Sequence, residues 1–512
     1  MAVHSLIALG SNALLVDIEC HLSNNLPNIV IVGFANKAVA EARERLRGAF
    51  ASSQLELPRK RIIINLAPAD IPKADSGFDL AIAASILQAS QALPTAGFTK
   101  AAFIGELGLD GRTRAVRGII GKLLAGRAKG IRRYYIPQAN LLQAQLVPDI
   151  DIVPISSLSQ LYTHLRFIDN QPSKPTLTDQ ADKNKMSHNV DCLDTSGEQL
   201  SAIVGQLQAK RALEIAAAGG HNILLSGPPG TGKSMLAKAM PSIMPPLGPE
   251  EILEVTHLHS LASHDYEQVI RQRPVRAPHH SASHTAIVGG GSNLKPGEIT
   301  LAHRGILFFD ELPEFGRQTL EALRQPLEDR HISVSRIRES VDYPANFILV
   351  ATANPCPCGY HGYENAGSCI CTPLQILQYH QKLSGPIMDR IDLHTSVHEV
   401  SHAKLLTQAV DPASDMLVQR RVRLARMAQA QRHAGRLNAD LANDEVRQHA
   451  KLDRAAKQLL DKAASQLKLS ARAYMRTIKV ARTIADLDAS LQVSPAHISQ
   501  AIAYRPQIRS PV

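Results

Sequence analysis

Residues 227–235 read Gly227-Pro228-Pro229-Gly230-Thr231-Gly232-Lys233-Ser234-Met235. That run suits a phosphate chain. Glycines let backbone N–H groups turn inward around phosphate oxygens, and a helix starting at the lysine adds the positive end of its dipole. Lys233 would then reach the β- and γ-phosphates, and Ser234 would hold Mg²⁺. Both flanks agree: Asn222-Ile223-Leu224-Leu225-Ser226 is apolar enough for a buried strand, and Met235 to Met240 has helical composition. A chance glycine-rich turn lacks such neighbours. Residues 227–235 are therefore expected to bind ATP or a close relative.

About eighty residues on stands Gly305-Ile306-Leu307-Phe308-Phe309-Asp310-Glu311. Its four apolar residues predict a buried strand with two carboxylates at its C-terminal end, where open parallel sheets place their ligands. Asp310 suits the Mg²⁺ shell. Glu311 suits a base that polarises the attacking water. The pair points to hydrolysis rather than binding alone.

Four of the six cysteines fall within sixteen residues, as Cys356-Pro357-Cys358 and Cys369-Ile370-Cys371. Two close thiolate pairs can wrap one tetrahedral Zn²⁺. The C-x-C spacing is tighter than the usual C-x₂-C knuckle, so free thiols near the nucleotide, or His361 in place of one ligand, remain as alternatives. Cys20 and Cys192 read as isolated small hydrophobes.

The elements that must hold these residues are legible in outline. At 512 residues the chain has room for about three domains. Hydrophobic content of 44% permits real cores, while 4% aromatic residues and no Trp argue against a stacking-rich binding surface. No apolar run is long enough to span a membrane. The start lacks the basic region and cleavage site of a signal peptide, so a cytoplasmic location is expected, where disulfides are rare.

Residues 170–196 are polar and aperiodic and read as a linker. Before them, residues 1–169 alternate strand-like runs, Asn28–Gly33 and Arg61–Leu66, with helical patterns over Lys37–Phe50 and Asp79–Ser90. Residues 197–396 carry the nucleotide-binding motifs. Residues 397–512 are rich in Ala, Gln, Leu and Arg with helical periodicity, predicting an all-α lid. Residues 401–512 hold 19 Lys and Arg against 9 Asp and Glu, the whole of the chain's net +10. That hints at a polyanionic partner, against the alternative of a solvated helical surface.

The order of phosphate loop, Asp-Glu strand, Asn-ended strand and helical lid resembles the AAA+ ATPases. Ala209–Asn222, Arg276–His280, Lys295–Ile299 and Ala353–Gly359 resemble the magnesium-chelatase-like branch and, within it, a bacterial competence-protein group. The resemblance covers nearly the whole chain. It implies an α/β fold: an AAA+ core with a C-terminal helical lid, preceded by a Lon-protease C-terminal, ribosomal-S5-like α+β domain.

It also implies roles. Asn354, ending the strand Asn346–Ala353, looks like sensor 1, orienting water; an ordinary turn-capping Asn is the alternative. Arg390 matches the arginine finger that reaches a neighbour's ATP, or else is a surface Arg paired with Asp389 or Asp392. Arg472 resembles sensor 2, contacting the γ-phosphate, with Arg476 one turn away on the same face. Active sites between subunits imply a homo-oligomeric ring, by analogy a hexamer.

Residues 332–343 alternate with period two and read as a hairpin. In related ATPases such a hairpin enters the pore, which makes Arg336 and Arg338 candidates for DNA backbone contact; a solvated hairpin is the alternative. The histidines between His257 and His303 could face that pore, bind metal, or pack as ordinary polar residues.

In the N-terminal block, Ala38–Ala49, Asn65–Asp70, Gly77–Leu80 and Gly105–Gly111 carry the Lon-type resemblance. A working Lon site needs a Ser nucleophile and a Lys base. Gly77 stands where the serine should be, and Ile120 where the lysine should be. Ser76 and Lys122 fit only with a shifted register, so a non-proteolytic domain is expected.

Three functions compete. The first is a ring-forming, ATP-driven DNA motor, by resemblance a helicase driving branch migration of recombination intermediates in natural transformation. The others are a metal-insertion motor subunit, weakened by the Lon-type domain, and an ATP-dependent unfoldase or protease, weakened by the missing Ser-Lys pair.

Overall fold

The computed structural model describes residues 2–9, 12–33, 37–68, 77–90, 93–167, 198–262, 268–291, 294–336, 339–363, 368–383, 385–400 and 412–506. The linker lies outside these residues, as do Ser76, Cys192 and Arg338.

Two large sheets organise the chain. The first holds β1 (Val3–Leu9), β2 (Asn12–Ser23), β3 (Asn28–Val32), β4 (Arg61–Ala67) and β5 (Ala101–Phe103), then, past the short hairpin of β6 (Glu106–Leu107) and β7 (Thr113–Arg114), β8 (Arg133–Pro137) and β9 (Asp151–Ile155). Its order is β3-β4-β2-β1-β5-β8-β9, antiparallel at β1–β2 and β2–β4 and parallel elsewhere. Alternation sets its faces: along β4, Ile62, Ile64 and Leu66 are buried while their neighbours are more exposed. Asp79 opens the helix Asp79–Ala89 and takes Arg45 of the helix Lys37–Ser52 at 2.7 Å and 3.0 Å, and it also accepts from Leu107 N.

The second sheet has β10 (Ile223–Ser226), β11 (Val275–Arg276), β14 (Ile306–Phe309), β17 (Ile348–Ala353) and β18 (Leu393–Ser396). Between them in sequence come two hairpins, β12 (Gly289–Gly290) with β13 (Lys295–Pro296), and β15 (His331–Arg336) with β16 (Glu339–Pro344). The main sheet runs β11-β14-β17-β10-β18, all parallel. Every residue of β14 and β17 is buried, so their near-continuous apolar runs are those of central parallel strands covered on both faces.

From Pro412 the described chain is helical: Pro412–His433, Asn443–His449, Arg454–Gln466, Ala471–Leu487 and Pro495–Ala503. Asp453 and Ser470 cap two of these, accepting from Ala456 N and Ala473 N. These helices share one core with the sheet through the helix Leu207–Gly219, where Ala212, Ile215 and Ala216 meet Val422, Ala481 and Ile484. Arg421 reaches Glu214 at 2.7 Å, and Gln429 reaches the Ala218 carbonyl at 3.1 Å. The first sheet's layer touches the core as well. The helices Ile119–Ala128 and Pro249–Ala262 meet where Gly121 leaves room for the His257 ring, 2.5 Å from where a Cβ would sit.

Candidate nucleotide site

Strand order brings the motifs together. β17 lies between β14 and β10, so the C-terminal ends of three adjacent parallel strands carry Asp310-Glu311, Asn354 and the glycine loop. This is the edge at which open α/β sheets bind ligands. Gly230 and Gly232 adopt φ of +80° and +85°, a left-handed backbone that side-chain-bearing residues disfavour. Gly227 has no room for a side chain, since a Cβ there would lie 2.3 Å from the Val397 carbonyl oxygen. Thr231 Oγ1 donates to Pro228 O at 2.9 Å, closing the loop, and Met235 is exposed on the helix Lys233–Ala239 beyond.

Lys233 Nζ donates to Gly227 O and Pro228 O, both at 2.7 Å, and to Asn354 Oδ1 at 3.1 Å. Burial lowers its pKa, with Asp310 and Glu311 opposing. Ser234 Oγ lies 3.0 Å from both carboxylate oxygens of Asp310. A hydroxyl against an exposed carboxylate is an oxygen pair that suits Mg²⁺. Thr352, buried in β17, organises the acidic pair: its hydroxyl donates to Asp310 Oδ1 at 2.6 Å and accepts from Glu311 N at 2.8 Å. Glu311 takes φ of +54°, which turns its exposed carboxylate away from the strand line. Non-glycine residues held in that region cluster at functional sites.

A cleft of about 620 Å³ opens beside this group, lined by Glu311, Asn354, Pro357, His280 and the Gln375–Tyr379 face of the helix Pro373–Lys382. Burial pushes the Tyr379 hydroxyl up to about 12, against a hydrogen bond with the Asn354 backbone. The four predicted cysteines gather next to the cleft, all their sulfurs within 4.8 Å of one another. His361 meets this cluster through its backbone N–H, which donates to Cys356 Sγ at 3.3 Å.

Arg390 and Arg472 lie elsewhere. Arg390 precedes β18, where Asn222 Nδ2, just ahead of β10, donates to its carbonyl at 3.1 Å. Both residues therefore sit at the amino-terminal edge of the sheet, opposite the phosphate loop. The Arg390 guanidinium pairs with Glu328, not with Asp389 or Asp392, and donates to Pro386 O at 2.7 Å. Arg472 joins the same Glu328. Despite partial burial, the two guanidiniums hold Glu328 below the usual carboxylate range. Arg472 thus meets a carboxylate of its own chain, the same one that holds Arg390. Arg476, its neighbour by one turn, is distinct: it turns inward to Asp392 at 3.1 Å, and Asp392 also meets His221 at 3.2 Å.

Other expectations resolve in part. The hairpin forms as β15 and β16, but the Arg336 side chain and all of Arg338 lie outside the described residues. Three histidines pack structurally. His257 fits against Gly121, His259 bonds Leu301 O at 3.0 Å, and His303 meets Glu254 at 3.2 Å and Asn346 N at 3.0 Å. The His279 and His280 rings meet at a tilt, centroids 4.0 Å apart, and both are exposed. In the N-terminal block Ile120 and Lys122 are both fully buried in the helix Ile119–Ala128. His280 was expected only as one of several histidines of open role, and sequence reasoning missed Thr352, Glu328 and Tyr379. None of these three belongs to a spaced motif or stands out by type in the sequence.

The family described as "Magnesium chelatase, subunit ChlI" matches residues 199–405, "Subunit ChlI of Mg-chelatase" matches 18–140, and "Magnesium chelatase, subunit ChlI C-terminal" matches 413–505. The competence protein ComM of Haemophilus influenzae is 42% identical over 510 residues, 99% of this chain and 97% of that protein. The Escherichia coli protein YifB is 42% identical over 505 residues, 98% and 96% of the two chains. The magnesium-chelatase 38 kDa subunit of Rhodobacter capsulatus is 28% identical over 173 residues, 30% of this chain and 49% of that one. With matches along nearly its full length and the phosphate loop, acidic strand and lid in one parallel-sheet frame, the chain belongs to the magnesium-chelatase-like AAA+ ATPases, in the group that includes ComM and YifB.

Proposed function

We propose that the chain is a ring-forming ATPase that works on DNA, a helicase driving branch migration of recombination intermediates during natural transformation. The convergence of Lys233, Ser234, Asp310, Glu311 and Asn354 at one sheet edge carries the ATPase reading. In it the loop Gly227–Met235 cradles the phosphates and Lys233 reaches the β- and γ-oxygens. Ser234 and Asp310 share Mg²⁺, Glu311 polarises the attacking water, and Asn354 orients it. Arg390 and Arg472, at the opposite edge, serve the ATP of the next subunit in a hexameric ring. The working units are residues 1–169 as a non-proteolytic Lon-type domain, a linker over 170–196, the ATPase core over 197–396 and the lid over 397–512, in the cytoplasm. No helix among the described residues is long and apolar enough to cross a membrane.

The DNA half rests on the near-complete match to a competence protein and on the basic lid. Charge alone supports it weakly, because many lid arginines are engaged within the chain: Arg421 with Glu214, Arg432 and Arg482 with Asp486, Arg436 with Glu445. Exposed Arg420 and Arg423, and Arg336 and Arg338 of the hairpin, are the candidates for backbone contact.

The runner-up is a metal-insertion motor subunit, favoured by the family descriptions along the chain but matched by the chelatase subunits over only 30% of it. ATPase rates with single-stranded, duplex and branched DNA separate the two. Branched or single-stranded DNA should raise the rate several-fold, and the stimulation should fade as salt rises. An ATPase indifferent to every DNA at low salt refutes the DNA motor.

A further inference from the structure

We infer that Cys356, Cys358, Cys369 and Cys371 bind one Zn²⁺ ion, and that this ion fixes the wall of the nucleotide cleft against the phosphate loop; the second half rests on the ATPase reading above. Sulfurs around one tetrahedral zinc, each about 2.3 Å from the metal, lie about 3.8 Å apart. Here Cys356 Sγ stands 3.3 Å from Cys358 Sγ and 3.7 Å from Cys369 Sγ, and Cys358 Sγ stands 3.6 Å from Cys369 Sγ. A disulfide needs about 2.05 Å. Polynuclear iron clusters spread their four thiolates wider than one ion does, so the mononuclear metal fits best. Backbone N–H groups already point at the sulfurs, Cys358 N to Cys371 Sγ at 3.4 Å and His361 N to Cys356 Sγ at 3.3 Å. Such donors stabilise thiolates and orient metal ligands.

The cluster's position makes it more than a local staple. Cys356 lies two residues after Asn354, at the end of β17. The Cys356–Gly359 turn is closed by Gly359 N donating to Cys356 O at 3.0 Å, and Gly359 has φ of +90°. That turn rests on the phosphate loop: a Cβ on Gly359 would lie 2.5 Å from Pro229 Cδ. On the other side, Cys371 runs straight into Thr372, which caps the helix Pro373–Lys382. That helix supplies Tyr379 and Gln375 to the cleft beside Asn354 and Glu311. One ion would thus tie the end of the Asn354 strand, the turn touching Pro229 and the helix walling the cleft. None of the four cysteines touches the reacting atoms; they are positioning residues.

Full-length protein purified without chelators should carry about one zinc per chain by elemental analysis, no iron and no visible absorbance. The pair Cys369→Ser, Cys371→Ser should lose the zinc and roughly ten-fold or more of basal ATPase turnover, as outer supports of a site do. Its affinity for a fluorescent ATP analogue should change far less, since Lys233 and the glycine loop remain. Should that variant fail to fold, wild-type protein stripped with a strong zinc chelator and recharged with Zn²⁺ gives the same comparison, with turnover falling and returning. Iron, or a metal-free preparation with full turnover, overturns the site. A stripped protein as active as the holo form overturns the coupling. Stoichiometric zinc in a wild type that neither binds nor hydrolyses ATP overturns the coupling and the ATPase reading together, and leaves the zinc site standing.

Discussion

Thr352 is the residue on which the acidic pair turns. Its one hydroxyl donates to Asp310 and receives the Glu311 N–H, so the carboxylate proposed to hold the metal and the one proposed to polarise water are set by the same side chain. Glu311, free of Asp310's bond to Ser234 and turned out by its left-handed backbone, is left for water. Glu311→Gln should therefore bind ATP normally and lose turnover by roughly 10²-fold or more, because an amide cannot accept the proton. Nucleotide titration alongside single-turnover hydrolysis checks this, and wild-type turnover would put the base elsewhere. Lys233, Ser234, Asp310, Glu311 and Asn354 could all be read from the sequence, since each ends a strand or sits in a spaced loop. Thr352 could not, because a Thr inside an apolar run reads as an ordinary strand former. Glu328 was hidden for another reason: its role depends on two arginines brought to it from 62 and 144 residues away.

Elements were legible where period and apolarity agreed. The helix expected over Lys37–Phe50 forms at Lys37–Ser52, and the strand expected before the loop forms at Ile223–Ser226. β1 and β2 went unread although Val16 and Ile18 alternate with Asp17 and Glu19, a period-two signal of a half-buried strand. β18 shows what an element can hide. It was unmarked in sequence, yet it carries the half-buried His394, whose backbone N–H donates to Tyr504 O at 2.7 Å. Burial, helped by the charge of Arg505 and Arg476 and opposed by Asp392, pulls this imidazole down to about 4. Its folded pKa lies below the unfolded value of about 6.5, so the unfolded chain takes the proton first. The stability it contributes is present above pH 6.5 and is lost as pH falls toward 4. Between pH 7 and pH 5 the loss should be roughly 2 kcal/mol from this group. Urea midpoints across that range test it. A flat profile, or a slope undiminished in His394→Asn, would show that His394 is not the proton acceptor.

At the scale of the molecule, the sheet separates the phosphate loop from Arg390. The phosphate loop leaves β10 at its carboxyl end, whereas Arg390 is fixed by Asn222 at the amino end of the same strand. Four strand residues span about 13 Å, too far for a guanidinium to reach its own ATP. Arg472 shares the carboxylate of Glu328 with Arg390, so it faces the same way. The family resemblance already pointed Arg390 toward a neighbour's ATP, but the side on which Arg472 lies could not be read, because a motif identifies a residue type and not the edge it occupies. A mixing experiment tests both arginines. Arg390→Ala and Arg472→Ala proteins should each bind ATP nearly normally and hydrolyse it poorly, by roughly 10³-fold for a lost arginine finger. Each should regain activity when mixed with Lys233→Ala protein, because some interfaces then pair an intact loop with a neighbour's intact arginines. For Arg472 the outcome is decisive. If it served its own loop, every intact loop in the mixture would sit on a subunit lacking Arg472, and every subunit with Arg472 would lack Lys233. No interface could then be complete. Recovery in both mixtures, with subunit exchange demonstrated, would place both arginines in the neighbour's site. Recovery with Arg390→Ala alone would return Arg472 to its own subunit and require Glu328 to release it on assembly.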